Sequence, residues 1–243
     1  MDIVLRGLAK RFDREDVLTG VDLDLGGGQT VAVIGLNGAG KTTLLRCLAG
    51  VIMPTHGSIR WNGGDSLRDD LALHRQMMFL PDTPVLIESN TILENLVLFL
   101  RAYGREGSVS DEQIINVLRE LDLLEHCEST LARLSRGQRY KTALATLLLI
   151  RPELWLLDEP FASGMDPQGM HTLKHHVRQA TAAGSCVVYT TQIIEIAERF
   201  CDVLLVIDHG RIAQRFGRDD LRGMPQEGPG SLGERLALFR SVQ

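Results

Sequence analysis

Val31-Ala-Val-Ile34 runs directly into Gly35-Leu-Asn-Gly-Ala-Gly-Lys-Thr42, and this junction decides the fold. Residues 31–34 are apolar, mostly β-branched, and follow a glycine turn at 26–28, so they read as a short buried strand. Residues 42–48 read as the opening of a helix. The eight residues from Gly35 to Thr42 fit G-x-x-x-x-G-K-[ST], and strand, glycine loop and helix in that order is the context a phosphate loop requires. Glycines let the backbone wrap the phosphates with consecutive N–H groups pointing inward. The helix that follows offers its positive end to the same anion. In this reading Lys41 reaches the β- and γ-phosphates, and the Thr42 hydroxyl binds Mg²⁺.

Outward from the loop, residues 154–157, 186–190 and 203–207 are further short apolar runs. The last is closed by the turn Asp208-His209-Gly210. Short buried strands alternating with helices predict an α/β sheet with parallel strands. The middle differs. Residues 90–101, 111–124 and 139–150 carry helical apolar spacing, with Asn90 and Ser110 or Asp111 as caps. They predict a helical subdomain at 83–152, inserted into a nucleotide-binding core made of 1–82 and 153–210. The tail 211–243 is rich in Gly and Pro around 223–230, with a short closing helix at 231–239.

Asp158 closes the strand in Leu154-Trp-Leu-Leu-Asp-Glu-Pro160. A carboxylate at a strand's end suits Mg²⁺, a hard cation that takes oxygen ligands. Glu159 is then placed to polarise an attacking water. The segment Leu134-Ser-Arg-Gly-Gln138 precedes the helix at 139–150. A serine and a glycine there offer a hydroxyl, bare N–H groups and a helix dipole to an anion. In isolation the same residues describe an ordinary N-capped helix.

The chain has 243 residues, 44% hydrophobic and 23% charged, which suits one large domain with a sizeable core. A net charge of −5 offers no basic footprint, so nucleic acid is not the expected partner. The four cysteines are scattered without C-x-x-C spacing. They indicate neither a zinc site nor a redox pair, and suit free thiols in a reducing compartment. His171 and His175 are four apart but lack a third ligand, so they read as helix surface. No N-terminal signal core and no apolar run of about 20 residues is present. A cytosolic chain is expected, and any transport role needs a membrane pathway from another polypeptide.

The order of phosphate loop, LSxGQ, LLDEP and Ser163-Gly-Met-Asp-Pro167 resembles the nucleotide-binding subunit of ATP-binding cassette (ABC) transporters over nearly the whole chain. In tone it resembles the exporter-type subfamily. The resemblance implies a P-loop NTPase (RecA-like) α/β core with a mainly parallel sheet, an N-terminal antiparallel β portion and the inserted helical subdomain. It implies ATP and Mg²⁺ as cofactors. Asn37, Gly38, Ala39, Gly40, Lys41, Thr42 and Thr43 would surround one nucleotide. Ser135, Arg136, Gly137 and Gln138 would contact the nucleotide held by the other protomer of a homodimer, or of a heterodimer with another ABC ATPase subunit. Asp166 would communicate across that dimer, and Phe12 would stack on adenine, although a ring there also suits a strand-end core position. A separate transmembrane permease would hold the subunit at the inner face of the membrane. The apolar face of 91–104 would help line a groove for the permease.

Three positions depart from the family pattern. Arg136 replaces the commoner glycine with a basic residue that some members share. Asp82 replaces a glutamine that contacts Mg²⁺ and the membrane partner, and can still bind the metal through water. Gln192 replaces a histidine that contacts the γ-phosphate; its amide donates a hydrogen bond but carries no charge. Slow but real hydrolysis is expected, because Glu159, Lys41 and Asp158 remain. Two other readings stay open: a non-transport ABC ATPase of a soluble assembly complex, and a hydrolysis-impaired cassette that serves as an ATP-dependent interaction module in a heterodimer.

Overall fold

The computed structural model describes residues 1–64, 70–225, 231 and 233–234. A six-stranded sheet forms its centre, built from β3 (Gln29–Ile34), β5 (Met77–Leu80), β6 (Leu154–Leu157), β7 (Cys186–Thr191), β8 (Val203–Asp208) and β9 (Arg211–Gly217). Their order is β5-β6-β7-β3-β8-β9. All neighbours run parallel except β8 and β9. β9 lies in the part of the chain read from sequence only as a tail.

The period-2 alternation of these strands sorts their side chains onto two faces. Ala32, Ile34, Met78, Leu80, Trp155, Leu157 and Tyr189 join one apolar cluster with the helices. Val31, Val33, Met77, Leu154, Leu156 and Val188 join a second. Both faces are therefore covered, which is why the strands read as continuous apolar runs and not as alternating ones. Each such side chain, once fully buried, contributes about 1.5–3 kcal/mol.

The second cluster is closed by α1 (Lys41–Leu48) and by a three-stranded antiparallel sheet of β1 (Asp2–Phe12), β2 (Glu15–Gly26) and β4 (His56–Trp61), in the order β2-β1-β4. This is the expected N-terminal antiparallel portion. A short α2 (Leu71–His74) precedes β5.

The first cluster is closed by α3 (Ile92–Ala102), α4 (Asp111–Glu120), α5 (Arg136–Ile150) and α6 (Pro167–Ala182). Three helix ends differ from the spacing-based expectation. Thr91, not Asn90, caps α3: its hydroxyl accepts from Glu94 N while the Glu94 carboxylate accepts from Thr91 N. α4 stops at Glu120 because Asp122 takes a left-handed φ of 54°. α5 begins three residues early, because Ser135 and Gln138 form a reciprocal capping box. α7 (Ile194–Phe200) and α8 (Arg218–Gly223) complete the described helices. The helix expected at 231–239 falls largely outside the described residues.

Four of the five parallel strands deliver a candidate residue at their carboxyl ends. Gly35 follows β3, Asp82 follows β5, Asp158 follows β6, and Gln192 follows β7. Open α/β sheets place ligand sites at this edge.

Candidate nucleotide-binding site

The loop from Gly35 to Gly40 is shaped by close approach. A Cβ on Gly35 would lie 2.4 Å from the Ile207 carbonyl, and one on Gly40 would lie 2.8 Å from the Val17 carbonyl. Gly40 also has φ 105°, a left-handed conformation that glycine takes without steric cost. As the N-cap of α1 it has no side chain to offer, so the first-turn N–H groups keep their capacity for an external anion. Leu36, Asn37 and Gly38 are exposed, Ala39 is buried, and Thr42 and Thr43 are half-buried in the first turn.

Lys41 is buried and folds back over the loop. Its Nζ donates to the carbonyls of Gly35 (2.9 Å) and Leu36 (3.1 Å) and lies 3.8 Å from Glu159 Oε1. Burial lowers its pKa, an effect opposed by the Glu159 and Asp158 carboxylates. The same burial raises the Glu159 carboxyl, against the pull of Lys41 and of the Gln192 amide.

Asp158 and Glu159 are held by a residue that sequence reading passed over. The hydroxyl of Thr190, fully buried near the end of β7, donates to Asp158 Oδ1 at 2.7 Å and accepts from Glu159 N at 2.8 Å. Thr42 Oγ1 donates to the same Asp158 oxygen at 3.1 Å. One hydroxyl thus orients both acidic residues and ties β7 to the end of β6. Glu159 takes φ 48° at the start of the turn Pro160–Ala162, a conformation that costs a non-glycine residue free energy and that clusters at functional sites. Gln192 is exposed and donates from Nε2 to Glu159 Oε1 at 3.4 Å.

Thr42 and Asp158 pass the test of a magnesium site on donor chemistry: a hydroxyl and a carboxylate, adjacent and both oxygen. The glycine cradle beside them, which a Cβ would fill, suits a polyphosphate. Phe12 lies at the tip of the β1–β2 hairpin, 43% exposed, with Lys10 Nζ 4.9 Å from its ring centroid. The hairpin passes the phosphate loop at Val17.

The remaining candidates gather elsewhere. Ser135 is exposed at the N-cap of α5. A Cβ on Gly137 would lie 2.4 Å from the Gly164 carbonyl, so this loop packs directly on the 163–167 turn. Asp166 caps α6 through Gly169 N and pairs with Lys141 Nζ at 2.5 Å. Arg136 Nη2 lies 2.6 Å from Asp82 Oδ1. Among the described residues, no hydrogen bond or ion pair joins Ser135, Arg136 or Gln138 to the phosphate loop or to Glu159.

Comparison with known proteins agrees with this geometry. Residues 18–162 match the family model described as ABC transporter. The chain is 33% identical over 218 residues to the ABC-type transporter ATP-binding protein EcsA of Bacillus subtilis (strain 168), covering 90% of this chain and 88% of the relative. A solved ATP-binding subunit of an ABC transporter superposes with TM-score 0.89 at 31% identity, over 99% of this chain and all of the other. A dimeric ATP-binding cassette in a post-hydrolysis state, bound to ADP and Pi, shares the fold with TM-score 0.79 at 23% identity, over 89% and 98%. A glycine loop closed by a buried lysine, two acids held by one threonine hydroxyl, and this extent of similarity lead to one statement: the chain belongs to the ABC transporter family.

Proposed function

We propose that the chain is the ATP-hydrolysing subunit of a membrane transporter, acting as an ATP-sandwiched dimer that drives a separate transmembrane permease. One observation carries the dimer. Lys41, Thr42, Asp158 and Glu159 converge at the sheet edge, while the capped, exposed N-terminus of α5 belongs to a second cluster that, among the described residues, has no hydrogen bond or ion pair to the first. A nucleotide with both faces covered takes the second face from another copy. Residues 83–152 act as a helical unit beside the nucleotide-binding core 1–82 and 153–210, with 211–243 as tail.

The backbone from Asn37 to Gly40 and the first turn of α1, with Thr43, wrap the phosphates. Lys41 exchanges its loop carbonyls for phosphate oxygens. Thr42 and Asp158 would hold Mg²⁺, and Asp82 could bind it through water. Mg²⁺, when bound, neutralises charge on the phosphoryl oxygens. Phe12 stacks on the base. Glu159, its backbone N–H held by Thr190 and its carboxylate by Gln192, orients and polarises the attacking water. Ser135, Arg136, Gly137 and Gln138 meet the partner's γ-phosphate, and Asp166 stands at the contact between protomers. ATP favours the closed dimer because only that state contacts both faces of the nucleotide.

A groove of about 370 Å³ beside Asp82, lined by Phe79, Pro81, Val85, Leu86 and Phe99, suits an apolar helix of the permease. Val85, 84% exposed, adds apolar surface to that groove. Among the described residues, no helix is long and apolar enough to cross a membrane. The placement proposed is cytoplasmic, peripheral on the membrane through the permease. Gln192 favours slow turnover, and it also supports the reading of a hydrolysis-impaired half of a heterodimer.

Sedimentation velocity of the Glu159→Gln chain with and without ATP tests the proposal. A shift from monomer to dimer with ATP supports it. A monomer at saturating ATP refutes the homodimeric form.

A further inference from the structure

Arg136 and Asp82 stand 54 residues apart in sequence and meet at 2.6 Å. Arg136 is the first residue of α5, next to the Ser135 cap. Asp82 lies two residues beyond β5, in the loop that also lines the groove. One helical turn after Arg136, on the same face of α5, Tyr140 is fully buried, its hydroxyl without a hydrogen-bond partner among the described residues. Burial, with the Asp82 and Asp158 carboxylates nearby, pushes the Tyr140 phenol well above its ordinary value. The first two turns of α5 are therefore seated on the ends of β5 and β6, with Tyr140 buried below and the Arg136–Asp82 bond at the surface.

We propose that Asp82 and Arg136 are a positioning pair, whose bond sets where the N-terminus of α5, and with it Ser135 and Gly137, stands relative to the sheet edge that carries the phosphate loop. The inference rests on the function proposed above. α5 is also fixed by Gly137 against the Gly164 carbonyl and by Lys141 to Asp166, but both of those contacts reach the 163–167 turn. The Arg136–Asp82 bond reaches the groove loop, as does the bond from Arg139 Nη1 to Glu88 Oε1 at 3.0 Å. Of these, the Arg136–Asp82 bond lies next to Ser135, and movement of that loop is passed to Ser135 through it. This role differs from a water-mediated contact of Asp82 with Mg²⁺, and experiment separates the two.

The test is a double-mutant cycle on ATP-dependent dimerisation in the Glu159→Gln background, read by sedimentation velocity against ATP concentration. The variants are Asp82→Asn, Arg136→Gln and their double. The side chains are 61% and 41% exposed, so each single substitution raises half-saturating ATP by only about 1.5- to 5-fold. The loss in the double is smaller than the product of the two single losses, because both remove one shared interaction. Single effects that multiply in the double overturn the proposal. So does an Arg136→Gln chain whose half-saturating ATP is unchanged while Asp82→Asn raises it. If the parent does not dimerise with ATP, the homodimeric form of the proposed function fails and the pair is judged on its own. The NMR signal of the Arg136 side-chain Nε–H then has to shift in Asp82→Asn, and an unmoved signal overturns the pairing.

Discussion

Replacing Thr190 by valine keeps the shape of a fully buried side chain and removes one hydroxyl. That hydroxyl has two partners. Its loss leaves the Glu159 N–H without its 2.8 Å acceptor, at a cost of about 1–3 kcal/mol. It also removes the 2.7 Å donor to the Asp158 carboxylate, a bond to a charged group contributing about 1.5–3 kcal/mol. The simple sum is about 2.5–6 kcal/mol. The measured cost should fall toward the lower end, because Glu159 is only part-buried and Thr42 still donates to Asp158. Thr190→Ser is the control. It keeps the hydroxyl and loses one methyl, a change of about 0.5–1.5 kcal/mol. Urea unfolding of the three proteins gives both differences. Valine should be clearly the more damaging, and should also depress ATP turnover, since Asp158 and Glu159 lose their common anchor. Equal costs for Val and Ser would refute the reasoning, because they would show the hydroxyl to be replaceable by its surroundings.

Four further predictions follow from the same geometry. Burial raises the Glu159 carboxyl above the ordinary glutamate range, and the residue polarises water only when ionised, so turnover rises with pH along an acid limb displaced upward. A limb inside the ordinary range would contradict this. A raised carboxyl contributes stability that is present below the unfolded-state pKa and lost as pH rises through the folded-state pKa. The stability of Glu159→Gln relative to the parent should therefore increase over that window, checked by unfolding at a series of pH values. Gln192→His should raise the turnover number, by up to about 10²–10³-fold if the contact acts only in the transition state, and unchanged turnover would remove Gln192 as the limit. Gly137→Ala drives a Cβ to within 2.4 Å of the Gly164 carbonyl, backbone against backbone; thermal unfolding should report a loss of about 1–3 kcal/mol, and a neutral result would show the two loops to be loosely packed.

The parts of the fold legible in the sequence are those that local rules specify. β3, β6, β7 and β8 are β-branched or leucine-rich runs buried on both faces, and the glycine pattern of the phosphate loop follows from close approaches that only glycine permits. What was missed depends on distance in sequence. Thr190 reads as one more β-branched strand residue; its hydroxyl matters only because the parallel register of β6 and β7 brings it beside Asp158, 32 residues away. The Arg136–Asp82 bond spans 54 residues and has no local signature. The α5 start was legible in principle, since Ser135 and Gln138 have capping-box spacing, but the apolar period begins later and masked it. The strand Arg211–Gly217 is half-exposed and arginine-rich, so its apolar signal is weak, and it is fixed by pairing with β8.

The central claim is hydrolysis at the Lys41, Asp158 and Glu159 site, and steady-state Mg²⁺-ATPase activity of the purified chain beside Glu159→Gln tests it most directly. The account predicts measurable turnover that the substitution abolishes. Equal, background-level rates in the two proteins would contradict it.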